Sequence, residues 1–307
     1  MKDRLVTLVG GGGFVGRYVA QALLAAGARV RVAQPDPREA WFLKPLGGLG
    51  QTQFVAADVL RPETIARAVQ GARHVVNLAG SFSVDPRIHV DGARNVAEAA
   101  KAAGVESLVH ISAIVADAGS PSRYASAKAA GEAAVRAAFP HAAILRPATV
   151  FGREDRFTNR LACMIQKLPV VPVFRAGTRI QPVFAGDVAA AVIAALGAGE
   201  ARTYDVAGPD VLTMAELHQW IARTIGRDRA LPALPDALGG LVSAFGFLPG
   251  APLTGEEWKL LQRDAVASAD MPGLAALGVT PTPLATAAPA WLVCYRRAGR
   301  FATLAGA

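Results

Sequence analysis

The chain has 307 residues, 52% hydrophobic and 18% charged, enough apolar material for a large core, which excludes a disordered chain. Lys and Arg total 32 against 24 Asp and Glu, a net +8 that suits an anionic small molecule, an anionic membrane face or nucleic acid; no basic run marks a nucleic-acid tail, so that partner is not expected. Two distant cysteines, Cys163 and Cys294, exclude a disulfide framework or CxxC knuckle, and five scattered histidines without HExxH or a Cys/His cluster give no metal site.

The amino terminus runs from charged residues directly into a strand-like segment, without the apolar core and cleavage site of a signal peptide. In chain order, strand-like runs at Leu5–Val9, Arg29–Ala33, Gln53–Val55, His74–Leu78, Leu108–Ser112 and Ala143–Leu145 alternate with helical stretches at Phe14–Ala26, Pro62–Val69, Val90–Ala103 and Tyr124–Phe139. Such alternation predicts parallel strands joined by right-handed crossovers, hence an α/β fold with a Rossmann-type doubly wound sheet. After Phe151-Gly152 proline becomes frequent, although Ala189–Ala195 and Met214–Ile225 still read as helices. The expected organisation is a dinucleotide-binding domain over 1–150 with a return segment at about 178–207. A smaller substrate- or partner-facing part is expected over 151–177 and 208–307.

Gly10-Gly-Gly-Gly13-Phe-Val-Gly16-Arg17 follows the first strand and opens the first helix. It fits both Gly-x-x-Gly-x-x-Gly and Gly-x-Gly-x-x-Gly. One glycine takes the tight turn, Gly13 lets backbone approach a pyrophosphate, and Gly16 permits close helix–strand contact, with the anion on the helix N-terminus. Gly10, Gly12, Gly13, Phe14, Val15, Gly16 and Arg17 are therefore expected to line a dinucleotide. Asp36 lies where a ribose-binding carboxylate belongs, but between two prolines and beyond the strand end at Gln34, whereas Arg17 and Arg38 suit a 2′-phosphate. Asp58, beside Val59, is either an acceptor for the adenine amino group or a helix N-cap. Leu78, Ala79 and Gly80, after Asn77, place small residues where a fourth strand passes the cofactor.

Tyr124-Ala-Ser-Ala-Lys128 sets a phenol and an ammonium one helical turn apart on one face. A neighbouring cation favours the phenolate, so Tyr124 can exchange a proton with a substrate hydroxyl or carbonyl. Four tyrosines and six lysines in 307 residues make a chance pair of this spacing an event of roughly 0.08, so the match is informative. The structural alternative is a surface helix with Lys128 paired to Glu132 at i,i+4.

The glycine loop, Asn77-Leu-Ala-Gly80, Ser112, Tyr124-x-x-x-Lys128 and Leu145-Arg-Pro-x-x-Val-Phe-Gly152 together resemble the extended and atypical short-chain dehydrogenase/reductases, which include nucleotide-sugar epimerases and dehydratases. Across the second half, Glu154-Asp-Arg-Phe, Gln181-Pro-Val-Phe, Asp187-Val-Ala, Tyr204-Asp-Val-Ala-Gly-Pro209, Pro252-Leu-Thr, Leu277–Leu284 and Pro289-Ala-Trp-Leu resemble bacterial relatives of subunit 9 of the complex I alpha subcomplex. The resemblance implies strand order 3-2-1-4-5-6-7, a bound NADP(H) with NAD(H) as the alternative, and Ser112, Tyr124 and Lys128 as the catalytic group. It equally implies a second role, a non-catalytic NADPH-holding accessory protein of a respiratory or quinone-synthesis assembly. Nucleotide-sugar epimerase or dehydratase is a third. Ile111-Ser112-Ala113 departs from the family's serine pair, placing Ala113 where a catalytic serine is usual. Pro35-Asp36 replaces the arginine pair that usually follows the second strand.

In the second half, Arg146 is expected to pack or touch substrate, and Asp187 to cap a helix. Leu234, Leu238, Leu241, Val242 and Phe245, extended by Phe247 and Leu248, fall on one helical face. Such a face is either core or, in a basic protein, a peripheral membrane contact. The uncharged stretch 237–255 is broken by Pro249, Pro252 and five glycines and does not read as a spanning helix. A cytoplasmic protein in a reducing compartment is expected, with peripheral attachment to the inner face of a membrane as the second reading; the substrate is an unidentified small molecule.

Overall fold

The computed structural model describes residues 1–80, 85–246, 253–297 and 299–301; Phe247, Leu248, Pro249 and Pro252 of the sequence reading lie outside them. Strands β1 (Leu5–Val9), β2 (Arg29–Gln34), β3 (Thr52–Ala56), β4 (His74–Asn77), β5 (Ser107–Ile111) and β6 (Ala143–Pro147) alternate with helices α1 (Phe14–Ala25), α2 (Pro62–Val69), α3 (Pro86–Ala102) and α4 (Arg123–Ala138). The chain continues through β7 (Val150–Phe151), α5 (Phe157–Lys167), β8 (Arg179–Ile180), β9 (Val183–Phe184), α6 (Ala185–Ala198), β10 (Thr203–Val206), β11 (Leu212–Thr213), α7 (Met214–Thr224), α8 (Asp236–Ala244) and α9 (Gly255–Leu260).

Seven strands form one parallel sheet in the order β10-β6-β5-β4-β1-β2-β3, the Rossmann-like arrangement the alternation predicts. Parallel strands covered on both faces are buried along their length, as β4 and β5 are, and any polar side chain in them needs a partner. Thr7, in the middle of β1, tolerates this because its hydroxyl donates to the Ala68 carbonyl at 3.1 Å. Between β1 and β4 the strand order reverses direction, and in sheets of this kind the crevice beyond the carboxyl ends at that point receives a ligand.

The chain divides into two compact units, each with its own core. The first comprises 1–147, 185–206 and 267–280. One of its clusters joins Val9, Ile65, Val75, Val96, Leu108 and Val135. Helix α3 lies against α4 closely enough that a Cβ on Gly131 would collide with the His89 carbonyl oxygen. The return segment begins at α6, where Asp187 sits buried in the first turn. The second unit comprises 148–184, 207–266 and 281–307, with a core around Phe151, Ile165, Val173, Leu217, Ile221 and Leu292. Helix α7 opens with a capping box, Thr213 and Glu216 bonding each other's backbone N–H.

Helix α8 inverts the usual amphipathic logic. Its buried residues are Gly239 and Ser243, and the glycine makes room for the Trp258 ring. Leu238, Leu241 and Phe245, the face that apolar spacing points toward a core, are about half exposed. No helix among the described residues is long and apolar enough to cross a membrane.

The Gly131 contact gives a stability test. Gly131→Ala forces either α3 backbone or α4 to shift, so a loss of about 3 kcal/mol is expected. Gly240→Ala, whose added methyl would have no neighbour nearer than 3.9 Å, should be neutral or stabilising by up to about 1 kcal/mol. Urea unfolding of both variants checks the contrast; equal midpoints would show that the helix approach is not tight.

Candidate functional site

The glycine turn follows from what each missing side chain permits. Gly10 has φ +79°, a left-handed conformation, and an added Cβ would press on Ala79 backbone at 3.0 Å. Its N–H continues the sheet ladder to the Ala33 carbonyl at 2.8 Å. At Gly16 a Cβ would strike the Gly11 carbonyl, so glycine there brings α1 down onto the turn. Gly13 is exposed, and an added Cβ would meet only the Gly10 oxygen at 3.5 Å. It is also the N-cap of α1, with no side chain capping the helix. The first N–H groups of α1, at Phe14 and Val15, therefore have no side-chain cap, and both residues are half-buried. A side-chain-free turn beneath an uncapped helix N-terminus fits a diphosphate.

Gly12 has a different function from its neighbours. Its N–H donates to Gln34 Oε1 at 2.9 Å, and Gln34 Nε2 donates on to the Asp36 carbonyl at 2.8 Å. Gly12 thus serves the turn's shape, and Gln34, which sequence reasoning passed over, ties the turn to the end of β2. Asp36 and Arg38 meet each other. Arg38 donates from Nε and from an Nη to the two carboxylate oxygens at 3.0 Å each, and its own N–H caps onto Asp36 at 2.9 Å. Those bonds hold the Asp36 carboxyl below its usual range. Arg17 lies over the Phe42 ring, 4.1 Å from its centroid. Asp58 accepts from the Leu60 N–H at 2.9 Å in a local turn, while Arg61 occupies the N-cap of α2; the capping alternative is thereby displaced by three residues. Val59 is buried, and its carbonyl accepts from Asn95 Nδ2 at 2.8 Å.

Beyond β4, Leu78 N–H bonds the Val9 carbonyl at 2.8 Å and Ala79 N–H bonds Asn77 Oδ1 at 3.1 Å. The Leu78-Ala79-Gly80 segment therefore lies beside the glycine turn. Asn77 Nδ2 also donates to His110 Nδ1 at 3.2 Å, which places the His110 proton on Nε2, a buried atom with no hydrogen-bond partner. Burial above all, then Lys128 and neighbouring cations, lowers the His110 pKa to about 3.

Tyr124 and Lys128 occupy α4 as the spacing predicts, with the Lys128 nitrogen 5.8 Å from the Tyr124 ring centroid. The surface-helix alternative for this pair does not hold. Lys128 is 5% exposed and Glu132 1%, and Lys128 Nζ donates to the Ile111 carbonyl at 3.0 Å. Burial lowers the Lys128 pKa to about 8, against the opposing pull of Glu132, and burial raises that of Tyr124. The Ser112 hydroxyl donates to Glu132 Oε1 at 2.5 Å. Arg146 grips the same carboxylate through Nε at 2.8 Å and an Nη at 2.7 Å. Ala113 is buried beside Ser112. A further residue absent from the sequence reading is His89, whose ring stands at right angles to Tyr124 with centroids 5.4 Å apart and fills the space left at Gly80. Among the described residues no group of acidic, Cys and His side chains is arranged to hold a metal.

His110 carries an acid-stability prediction. The folded chain keeps it neutral to about pH 3, whereas the unfolded chain protonates it near its ordinary 6.5. Its contribution is complete above pH 6.5 and falls by about 1.4 kcal/mol per unit as pH drops toward 3. Acid unfolding of His110→Gln followed by circular dichroism should show a pH slope shallower by about one proton between those limits; an unchanged slope would contradict the assignment.

Comparison with known proteins places this geometry. Residues 6–207 match the profile of the NAD dependent epimerase/dehydratase family. The chain is 34% identical over 293 residues to NADH dehydrogenase (ubiquinone) 1 alpha subcomplex subunit 9, mitochondrial, of Mus musculus, covering 91% of this chain and 77% of that protein. It is 33% identical over 261 residues to the ceramide reductase of Caulobacter vibrioides, covering 81% and 80%. In fold it resembles a dTDP-glucose 4,6-dehydratase from Streptomyces venezuelae solved with NAD and TYD bound, with a TM-score of 0.74 at 19% identity over 96% of this chain and 98% of the other. With the profile spanning well over half of its length and relatives of this identity covering most of theirs, the chain belongs to the NAD-dependent epimerase/dehydratase family.

Proposed function

We propose that the chain is an NAD(P)-dependent oxidoreductase of the atypical short-chain dehydrogenase/reductase type, acting on an unidentified small molecule, with Tyr124 as acid/base. The observation that carries this reading is the placing of a half-buried Tyr124 one turn from a buried Lys128 on α4, the lysine nitrogen 5.8 Å from the Tyr124 ring centroid. The dinucleotide, when bound, supplies hydride-transfer chemistry. Gly10, Gly13 and Gly16, with the N–H groups of Phe14 and Val15, cradle its diphosphate. Leu78, Ala79 and Gly80 flank it, and Asp58 and Val59 border the adenine. Burial holds Tyr124 as a neutral phenol, the form in which it can donate its proton to a carbonyl oxygen. Lys128 offers an ammonium toward the ribose and stabilises the phenolate left after donation. Ser112 supports this pair through Glu132.

NADP(H) is favoured over NAD(H). Arg38 already neutralises Asp36, so the corner beyond β2 presents Arg17 and no unpaired carboxylate from Asp36 to a 2′-phosphate. The arginine pair usual in the family is absent; Arg17 stands in for it, with Arg38 engaged by Asp36.

A second reading is supported by Ser112. The Ser112 hydroxyl is engaged by Glu132, and Ala113 stands beside it where the family usually has its catalytic serine. A non-catalytic NADPH-holding accessory protein of a respiratory, complex I-like or quinone-synthesis assembly fits that arrangement and the likeness to a complex I subunit. A nucleotide-sugar epimerase or dehydratase ranks below both. We place the protein in the cytoplasm, with Leu238, Leu241 and Phe245 of α8 touching the inner face of a membrane.

Tyr124→Phe should leave NADPH affinity within about threefold of wild type while lowering NADPH-dependent carbonyl reduction by about 100-fold or more. If NADPH co-purifies without exchanging and no carbonyl panel is turned over, the accessory reading replaces the enzymatic one. For the membrane contact, the protein should sediment with anionic vesicles at low salt, and Leu241→Asp should release it; a wild-type protein left in the supernatant would refute the contact.

A further inference from the structure

The turn after β4 is held residue by residue. Leu78 donates its N–H to the Val9 carbonyl, Ala79 donates its own to Asn77 Oδ1 at 3.1 Å, and the His89 ring fills the space at Gly80. The Ala79 backbone also stands against Gly10, where an added Cβ would meet it at 3.0 Å. The hold on Ala79 comes from a side chain whose two ends differ chemically. A backbone N–H can only donate, so the Asn77 oxygen faces Ala79 and its NH2 group faces β5. There it meets His110 Nδ1 at 3.2 Å, the residue directly across the ladder from Asn77. Asn77 is 3% exposed and His110 2%. Burying two polar side chains in the middle of a sheet is costly where apolar ones would pack, and the backbone ladder does not need them. The pair has a directional use instead. An imidazole with an unprotonated Nδ1 accepts from the amide NH2 group and so decides which end of Asn77 reaches Ala79.

We propose that His110 is a positioning residue for the coenzyme: by accepting from Asn77 Nδ2 it aims Asn77 Oδ1 at the Ala79 N–H and keeps the 78–80 turn in place beside the glycine turn. The inference rests on the proposed reading of those two turns as walls of the dinucleotide site. His110 acts through Asn77, and its tautomer is the deciding variable. With the proton on Nδ1 the imidazole would call for the amide oxygen, the amide would reverse, and its NH2 group would confront the Ala79 N–H, donor against donor.

The test reads each link of this chain. The protein has five histidines, so two-bond 1H–15N correlation of 15N-histidine protein at pH 7 resolves their tautomers, and the signal lost in His110→Asn identifies His110. Wild type should carry the proton on Nε2; a proton on Nδ1 overturns the proposal. His110→Phe keeps a ring but removes the acceptor. In it, hydrogen exchange at the Ala79 amide should accelerate about tenfold, and NADPH affinity by calorimetry should fall about tenfold, the effect of one lost hydrogen bond. His110→Asn returns an acceptor oxygen near the Nδ1 position and should keep both quantities within about threefold of wild type. Asn77→Leu, similar in size and without polar atoms, serves if His110→Phe does not fold and should show the same two losses. Equal losses in His110→Phe and His110→Asn would mean general damage to the sheet and would overturn the proposal, as would unchanged Ala79 exchange in a folded Phe or Leu variant. If wild type binds neither NADPH nor NADH, the functional reading falls and the coenzyme role falls with it, while the tautomer and Ala79 exchange still report the hydrogen-bond chain. Normal wild-type binding with unchanged affinity in His110→Phe removes this inference alone.

Discussion

A helix that begins without a side-chain cap is electrostatically incomplete, and the rest of this site is arranged around that fact. The first N–H groups of α1 have no side-chain partner, and the turn before them contains no Cβ that could supply or obstruct one. An anion is the group that satisfies both conditions at once. Gly10 and Gly16 bring the turn against β4 and α1 respectively, so the cradle sits at the reversal of strand order and opens where parallel sheets of this kind receive ligands.

Two kinds of ionisable group share the neighbourhood and obey one rule. Burial disfavours charge, so His110 is neutral, Tyr124 keeps its proton, and Lys128 is drawn toward neutrality. Where charge is retained it is because an opposite charge is held rigidly nearby, as Arg146 holds Glu132. The region therefore combines a proton donor with ions whose state depends on one another, a combination more suited to chemistry than to stability.

Much of this was legible in the sequence because it is local. Phe14 to Ala25, Pro62 to Val69 and the strands at Leu5–Val9 and His74–Asn77 fall within a residue or two of their predicted bounds, since Gly and Pro punctuate apolar runs there. The glycine turn and the Tyr124–Lys128 spacing are likewise short-range patterns. What escaped depends on partners distant in sequence. Glu132 reads as the i,i+4 partner of Lys128 on a surface until Arg146, on another strand, is placed against it. Helix α4 is rich in alanine, so its pattern does not reveal that both ions face inward. Gln34 and His89 matter through contacts with Gly12 and Tyr124 that no spacing announces. In α8 the apolar spacing was plain, but Trp258 packs on its glycines instead.

Gln34 has one further consequence. Its amide spans the glycine turn on one side and the backbone of Asp36 on the other, which ties the proposed diphosphate cradle to the proposed ribose corner. On that proposal, coenzyme preference is not a matter of the charged residues alone. Exchanging Asp36 or Arg38 alters the charge of that corner, while exchanging Gln34 alters the distance between the corner and the cradle, and a redesign that swaps all three at once would change the ruler together with the object it measures.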